Sequence, residues 1–455
     1  MAYHEWLVAL LVTSSLRHMG ALPKTVPLEG IAARVQQGAP VRIGVAQRAQ
    51  AVKLVPGGRA MVTLETEGQP FSRFLSRGSS LRAHAGGDSV LVELSGQRTS
   101  CRKVTLRARE ASTRAYSWGA KPRTGVYPGD IEIVRDRAGG LSVINVLPPE
   151  TYLNGVVAAE APIWFHPEAL KAQAIIARTY ALFNLGKHSQ QGFDLCDQMH
   201  CQQYRGAVNI PRVQAAVAAT AGEVLTYRGC LAESIYHTVC GGFVDDPYRV
   251  WEGYLMPYLR AAPDRPRSED NATTADATEE AVARLLADTS SSYCAHSPRH
   301  RWRRSYSIAE VQRFLDANLG KLLGFDGPPG RLVDMTIEGR SPGGRVQTLT
   351  IITGGGEYKI KRNDIRWLFG DGKPGPIGLP STLFRLTTKR DRAGTAMKFV
   401  FDGAGWGHGL GLCQYGADGR ARAGAEAADI LQAYYPGTEV VTLAHCMEGV
   451  AQGHR

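Results

Sequence analysis

The chain has 455 residues, with 53 Lys and Arg against 42 Asp and Glu and a formal net charge of +11. That length has room for two or three domains with an ample core, and the basic balance favours anionic partners such as wall polymers or membrane surfaces. Nucleic acid is not an expected partner, because no zinc-finger, helix-turn-helix or RNA-binding signature is present, and no heptad run or repeat stands out.

The first 39 residues read as a weak signal-like segment and linker. The apolar run from Trp6 to Val12 is too short to span a bilayer, which needs about 20 apolar residues, and Glu5 stands where a signal peptide carries a cation. No later stretch is long and apolar enough for a transmembrane span. The mature chain is expected to be exported, to the cell envelope or periplasm. Residues 40–130 read as a β-rich accessory region. VRIGVA, AVKLV, AMVTLET, SVLVEL and KVTLRA are short runs of β-branched and aliphatic residues between Gly, Ser and Asp turns. IEIVRD and LSVINVL, joined across Arg137 to Gly140, predict a hairpin opening a larger domain over 131–445.

Next comes Leu147 to Gly186. Glu160 sits in a loop-like run, NGVVAAEAP, that leads into a helix starting at Pro167 and ending before Gly186. Leu170, Ala174, Ala177 and Ala181 repeat at helical spacing. Lys171 and Arg178, seven residues apart, project from nearly one side, and the helix alone predicts stems lying along the surface with heads in water. Beyond it, His188, Cys196, His200 and Cys201 have the residue types and number for a tetrahedral zinc site, provided a turn reorients the adjacent His200 and Cys201. A Cys196–Cys201 disulfide is the alternative in an oxidising compartment. Four protein ligands would make such a zinc structural. No organic cofactor is expected.

Pro211 to Ala221 reads as a helix, and EVLTY and LAESIYHTV as strands joined at Arg228-Gly229. Cys230 and Cys240 would lie roughly 33 Å apart if that run is straight. Gly241 and Gly242 mark a bulge or a close backbone approach. Residues 264–325 read as an irregular, partly basic insertion, with a helix over Thr278 to Ala287 and a capping box, Ser307 to Glu310, opening another to about Asn318. LVDMTIEG, VQTLTIITG and YKIKR are strands, and Gly370 to Pro380 is a Gly/Pro-rich linker. The last block alternates Gly403, Gly405, Gly407, Gly409 and Gly411 with larger residues, presents Trp406 and His408, and opens a helix near Gln414. A lone His is usually structural. Here its glycine-rich setting beside Trp406 favours a site role. The fold class is α+β: a mixed domain with a helix following the Glu160 loop, plus the β-rich N-terminal region and the insertion.

Four ordered blocks carry a family resemblance: LPPETYLNGVVAAEAP with HPEALKAQAIIARTYAL, CDQMHCQQYRG, SIYHTVCGGFVDDPYRVWEG, and GWGHGLGLCQYGA. Together they resemble the stage II sporulation protein D family, which includes the amidase enhancer LytB, over roughly residues 40 to 440. The resemblance implies a peptidoglycan lytic transglycosylase cleaving between N-acetylmuramic acid and N-acetylglucosamine, and points to glycan strands lacking stem peptides. Glu160 matches the catalytic acid, and its apolar neighbours would raise its pKa by desolvation. Lys171 and Arg178 would oppose that rise if close to it, or else bind acetamido or lactyl groups. Tyr180, Tyr204 and Tyr415 are candidates to stack on sugar faces, the commoner alternative being buried tyrosines. Gly241 and Gly242 would line the groove with Trp406, His408, Gln414 and Tyr415. Some members look like zinc proteins at the Cys/His cluster. The alternative is a non-catalytic wall-binding enhancer of an N-acetylmuramoyl-L-alanine amidase. A zinc hydrolase is disfavoured, since no HExxH-type helix is present. A sporulation role belongs to some members only.

Overall fold

The computed structural model describes residues 24–108, 112–119, 121–266, 276–370 and 378–444. The signal-like segment up to residue 23 and positions 371–377 of the Gly/Pro-rich linker lie outside the described residues. The chain divides into two compact units, one of residues 26–234 with the segment from 439 onward, the other of residues 235–438.

In the first unit Val41–Pro56 is the spine of a twelve-stranded sheet. Its first half runs antiparallel to Leu141–Leu147, with Val41 opposite Leu147 and Ile43 opposite Asn145. Its second half pairs with both Leu81–Gly86 and Thr113–Gly119. The predicted hairpin is present, Asp130–Arg135 against Leu141–Leu147, and it continues onto Lys103–Arg107. The accessory-region strands and the strands just after residue 130 therefore share one sheet. Alternation of buried and half-buried positions, as along Ala60–Glu65, is the pattern of a sheet with one face packed inward.

Among the described residues four α-helices accompany it: α1 (Leu28–Gln36), α2 (Pro149–Glu160), α3 (Pro167–Phe183) and α4 (Pro211–Ala219). The expected Glu160 loop is corrected here, because that run is helix α2 and Glu160 is its last residue. Pro149 occupies the first turn, where its missing N–H is no loss, and burial of Tyr152, Leu153, Val156 and Val157 outweighs the poor propensity of a Gly-Val-Val sequence. Helix α3 is buried on nearly every side, from Ala169 round to Phe183, which makes it the central helix of the unit. A smaller sheet places Glu223–Tyr227 between Cys230–Leu231 and Glu439–Thr442. Arg228 and Gly229, at φ 50 and 76, form the two-residue turn that suits a hairpin's twist. The run expected to continue straight from Cys230 to Cys240 is broken into separate two-residue strands, Cys230–Leu231 and Tyr236–His237.

The 235–438 unit contains α5 (Pro247–Val250), α6 (Glu279–Ala287), α7 (Ile308–Leu323), α8 (Ile365–Leu368), α9 (Gln414–Arg422) and α10 (Ala427–Tyr434). Arg301–Ser307 and Phe384–Arg390 flank Ala396–Ala404 in one antiparallel sheet. Leu332–Arg340, Val346–Thr353 and Gly356–Lys361 form a meander. Val311, Leu315 and Leu319 of α7 pack with Phe369, Phe384, Phe399 and Phe401 in a continuous core. The segment expected to be an irregular insertion thus supplies a strand and the core helix α7, whose capping box is present and whose length exceeds the expected stop at Asn318. The mixed composition agrees with the α+β class.

Candidate active site and metal centre

Glu160 closes α2 half-buried, and its Oε1 accepts the backbone N–H of Gln203 at 2.6 Å. Of the apolar neighbours expected to desolvate it, Val156 and Val157 are fully buried, while Glu160 itself is half-buried. After it the chain runs through Ala161 to His166, where Ile163 and Trp164 are 46% and 48% exposed. Trp164 meets Phe165 edge-on at 4.9 Å. An exposed indole within four residues of the carboxylate is the kind of face on which a sugar ring can stack.

The segment that donates to Glu160 is anchored in two ways. Tyr204 is buried, its hydroxyl donating to Asn145 Oδ1 at 2.7 Å and its ring 5.1 Å from that of Tyr152. A Cβ on Gly155 would lie 2.4 Å from the Tyr204 ring, so this glycine is what lets α2 and the 195–206 segment meet. The second anchor is the Cys/His cluster. The ligand atoms of His188, Cys196, His200 and Cys201 all lie within 4.8 Å of one another. Cys201 Sγ is 3.4 Å from His188 Nε2 and 3.6 Å from His200 Nδ1, and Cys196 Sγ is 3.9 Å from His200 Nδ1. The turn required at His200 is there, closed by Cys201 N–H on the Gln198 carbonyl at 2.9 Å. Tetrahedral zinc with two sulfur and two nitrogen ligands has edges of about 3.3 to 3.8 Å, so the donor set fits such an ion. His188 Nδ1 bonds the Gln191 side chain, which aims Nε2 at Cys201. The Cys196 thiol, bonded to Cys201, draws the Cys201 thiol down to about 7 and is itself pushed up by that bond and by burial. Cys196 and Cys201 are both free cysteines, so the disulfide alternative is not formed.

Tyr180 lies in this neighbourhood. Its hydroxyl is driven well above the usual tyrosine value by burial first, then by the charges of Cys201, Glu233, Cys196 and Glu160, and Lys187 Nζ reaches it at 3.4 Å. Arg178 differs from expectation. It is 1% exposed, gripped by Glu150 through Nε at 2.8 Å and Nη2 at 2.6 Å, with Nη1 on the Glu223 carbonyl. A guanidinium in so dry a place needs that partner, and it is turned inward rather than toward solvent or substrate. Lys171 pairs with Glu168 at 2.7 Å on the partly exposed side. Tyr204, being buried, has no face for a sugar. Sequence reasoning missed Glu150 and Trp164. Glu150 is 28 residues from Arg178 and off its helix, whereas Trp164, between Glu160 and Pro167, was visible as a large aromatic beside the acid.

The remaining expected site residues belong to the 235–438 unit. His408 donates from Nε2 to the Tyr236 carbonyl at 3.0 Å and accepts Leu410 N–H on Nδ1 at 3.1 Å. Burial, then His237 and Arg366, hold it neutral, far below the ordinary histidine value. Both nitrogens are thus engaged by backbone groups. Trp406 is half-buried beneath Arg299, 4.3 Å above its ring. Gln414 and Tyr415 are buried, the latter 5.3 Å from His296. A Cβ on Gly241 would meet Ala404, and one on Gly405 would meet the Val239 and Cys240 carbonyls. The close approach these two glycines permit is between chain segments. No helix among the described residues is long and apolar enough to cross a membrane.

Residues 137–227, spanning α2, α3, the Cys/His cluster and α4, match the Stage II sporulation protein family, and residues 246–411 match a domain of unknown function, DUF8618. Among individual proteins, stage II sporulation protein D of Bacillus amyloliquefaciens is 28% identical over 348 residues, 73% of this chain and 84% of its own. The protein of that name from Bacillus subtilis (strain 168) is 26% identical over 361 residues, 76% of this chain and 87% of its own. The amidase enhancer of Bacillus subtilis (strain 168) is 28% identical over 313 residues, 64% of this chain but 40% of its own. The resemblance read from the four sequence blocks is therefore present along most of the chain.

Proposed function

We propose that this protein is a peptidoglycan lytic transglycosylase in which Glu160 is the acid. The observation that carries the reading is a half-buried carboxylate at the end of α2, fixed by Gln203 N–H and followed four residues later by exposed Trp164. In the first step Glu160 gives its proton to the oxygen between N-acetylmuramic acid and N-acetylglucosamine, so the glycosidic bond breaks with the electron pair on that oxygen. In the second, the same carboxylate takes the proton of the muramic C6 hydroxyl as that oxygen attacks the anomeric carbon, leaving a 1,6-anhydro end. Trp164 and Tyr180 would hold the sugars. His188, Cys196, His200 and Cys201 would hold a structural zinc, which when bound fixes the segment bearing Gln203. Glycan strands are the partner, and export to the envelope is the setting in which a basic chain meets them.

Digestion of purified peptidoglycan, with and without stem peptides, tests this by mass spectrometry of released ends. Wild type should yield 1,6-anhydro products and Glu160→Gln should lose them by about 100-fold or more, the usual scale of a general acid. The similarity to an amidase enhancer supports a second reading, wall binding that stimulates a separate amidase. Wall binding without anhydro ends on either substrate, with stimulation retained by Glu160→Gln, would replace the first reading with the second.

A further inference from the structure

The 235–438 unit contains a second cluster of soft donors that no sequence spacing announces. Cys240, Asp264, Cys294 and Cys413 come from four separated stretches, and one ligand atom of each lies within 4.8 Å of all the others. All four residues are at most 1% exposed. Cys240 Sγ stands 3.5 Å from Cys294 Sγ and 3.1 Å from Asp264 Oδ2. A tetrahedral zinc ion sets sulfur–sulfur and sulfur–oxygen edges of about 3.6 to 3.8 Å, so a shift of a few tenths of an ångström would admit one.

Two features distinguish the cluster from thiols packed as small apolar groups. The first is a set of amide donors aimed at sulfur. Gly242 N–H points to Cys240 Sγ at 3.3 Å, and Cys240 N–H and Gly416 N–H point to Cys413 Sγ at 3.1 and 3.2 Å. Such donors favour thiolates, as does the start of the nine-residue helix α9, which Cys413 caps. Gly242 sits at φ +110, a conformation only glycine takes readily, and this turns its N–H back on the sulfur. The second feature is the outer shell of Asp264. Its Oδ1 accepts from Arg420 Nε and Nη2 at 3.1 and 3.0 Å and from the Tyr434 hydroxyl at 2.9 Å. Oδ2 is thereby oriented toward the sulfurs, as an outer shell orients a metal-ligating carboxylate.

We infer that Cys240, Asp264, Cys294 and Cys413 form a second metal centre, closed and structural, that takes one zinc ion or a similar thiophilic divalent cation. Binding releases the thiol protons to solvent and leaves three sulfur bonds and one oxygen bond to the metal, with no position open to water. The inference is independent of the glycan-cleavage reading.

The test is metal stoichiometry on the full chain, by elemental analysis of protein purified without chelator. Wild type should carry two zinc ions per chain. The His188→Ala/Cys201→Ser variant should retain one, and adding Cys294→Ser should remove it. Cobalt loaded into His188→Ala/Cys201→Ser should show the strong near-ultraviolet charge transfer of three thiolates. If the triple variant does not fold, the wild-type count and the cobalt spectrum still decide. A His188→Ala/Cys201→Ser protein that folds without metal would overturn the inference. So would a Cys240–Cys294 disulfide in that variant, located by non-reducing peptide mapping as a linked pair two hydrogens below the two reduced peptides, since it would stand in place of ligands.

Discussion

Single residues in this molecule carry commitments that their neighbours in sequence do not reveal. Gly155 lies inside α2, where alanine would ordinarily stabilise a helix by about 1 kcal/mol. Its added Cβ would stand 2.4 Å from the Tyr204 ring and 2.6 Å from the Gly206 carbonyl, and overpacking of that kind costs about 1–3 kcal/mol. Gly155→Ala should therefore lower stability in urea and weaken the proposed glycan cleavage together. A stabilised variant would show that the contact does not govern the segment. His237 gives a pH dependence. Burial first, then Arg345, holds it at about 3, and its Nδ1 donates to the Leu410 carbonyl while Arg366 adds further opposing charge. The unfolded histidine titrates near 6.5, so below that pH the unfolded chain binds a proton that the folded one refuses. Stability is full above pH 6.5 and declines as the pH falls toward 3. His408, also held neutral, contributes with the same sign. Urea unfolding at pH 7 and pH 5 should show a shallower loss for His237→Asn, whose amide can still donate to Leu410. An unchanged slope would remove His237 from the account.

At the scale of elements, legibility followed the kind of physics involved. The hairpin at Arg137 to Gly140, helix α4 and the α7 capping box are local devices, and periodicity and turn chemistry were enough to place them. The Cys/His cluster was legible because its donors fall within fourteen residues of chain. Helix α2 was missed because Gly155, Val156 and Val157 are weak helix formers whose burial decides the matter. Arg178 was misplaced because its partner, Glu150, lies on another helix. Cys294 stands in a serine-rich stretch with no ligand spacing, so its meeting with Cys240 and Cys413 could not be read in advance. The glycine-dense turn was visible in the sequence, but the contacts that require its glycines were not. A Cβ on Gly411, at φ +63, would lie 2.0 Å from the Ile235 carbonyl, whereas Gly437, at φ +81, has open space around it. Gly411→Ala should cost about 3 kcal/mol or more by thermal or urea unfolding, against about 1 kcal/mol of backbone strain alone for Gly437→Ala. Equal losses would mean that the turn's glycines serve only their dihedral angles.

The whole molecule has a continuity that neither family match shows alone. Residues 137–227 match one family and 246–411 another, and the division of the chain at Ser234 and Thr438 separates them. In the small sheet, Leu231 and Glu439 both pair with Thr226, one on each side. The polypeptide thus leaves the first unit and re-enters it across two strand spacings, about 10 Å. A piece of chain whose two ends are that close is, in engineering terms, a cassette. Joining Ser234 to Glu439 through a short Gly/Ser bridge should give a protein with intact far-ultraviolet dichroism, a cooperative melt and metal bound at His188 and Cys201. If the spliced protein is unfolded, the first unit draws stability from the cassette. If it folds, the unit bearing Glu160 and the thiol-rich one can be exchanged between chains as separate heritable parts.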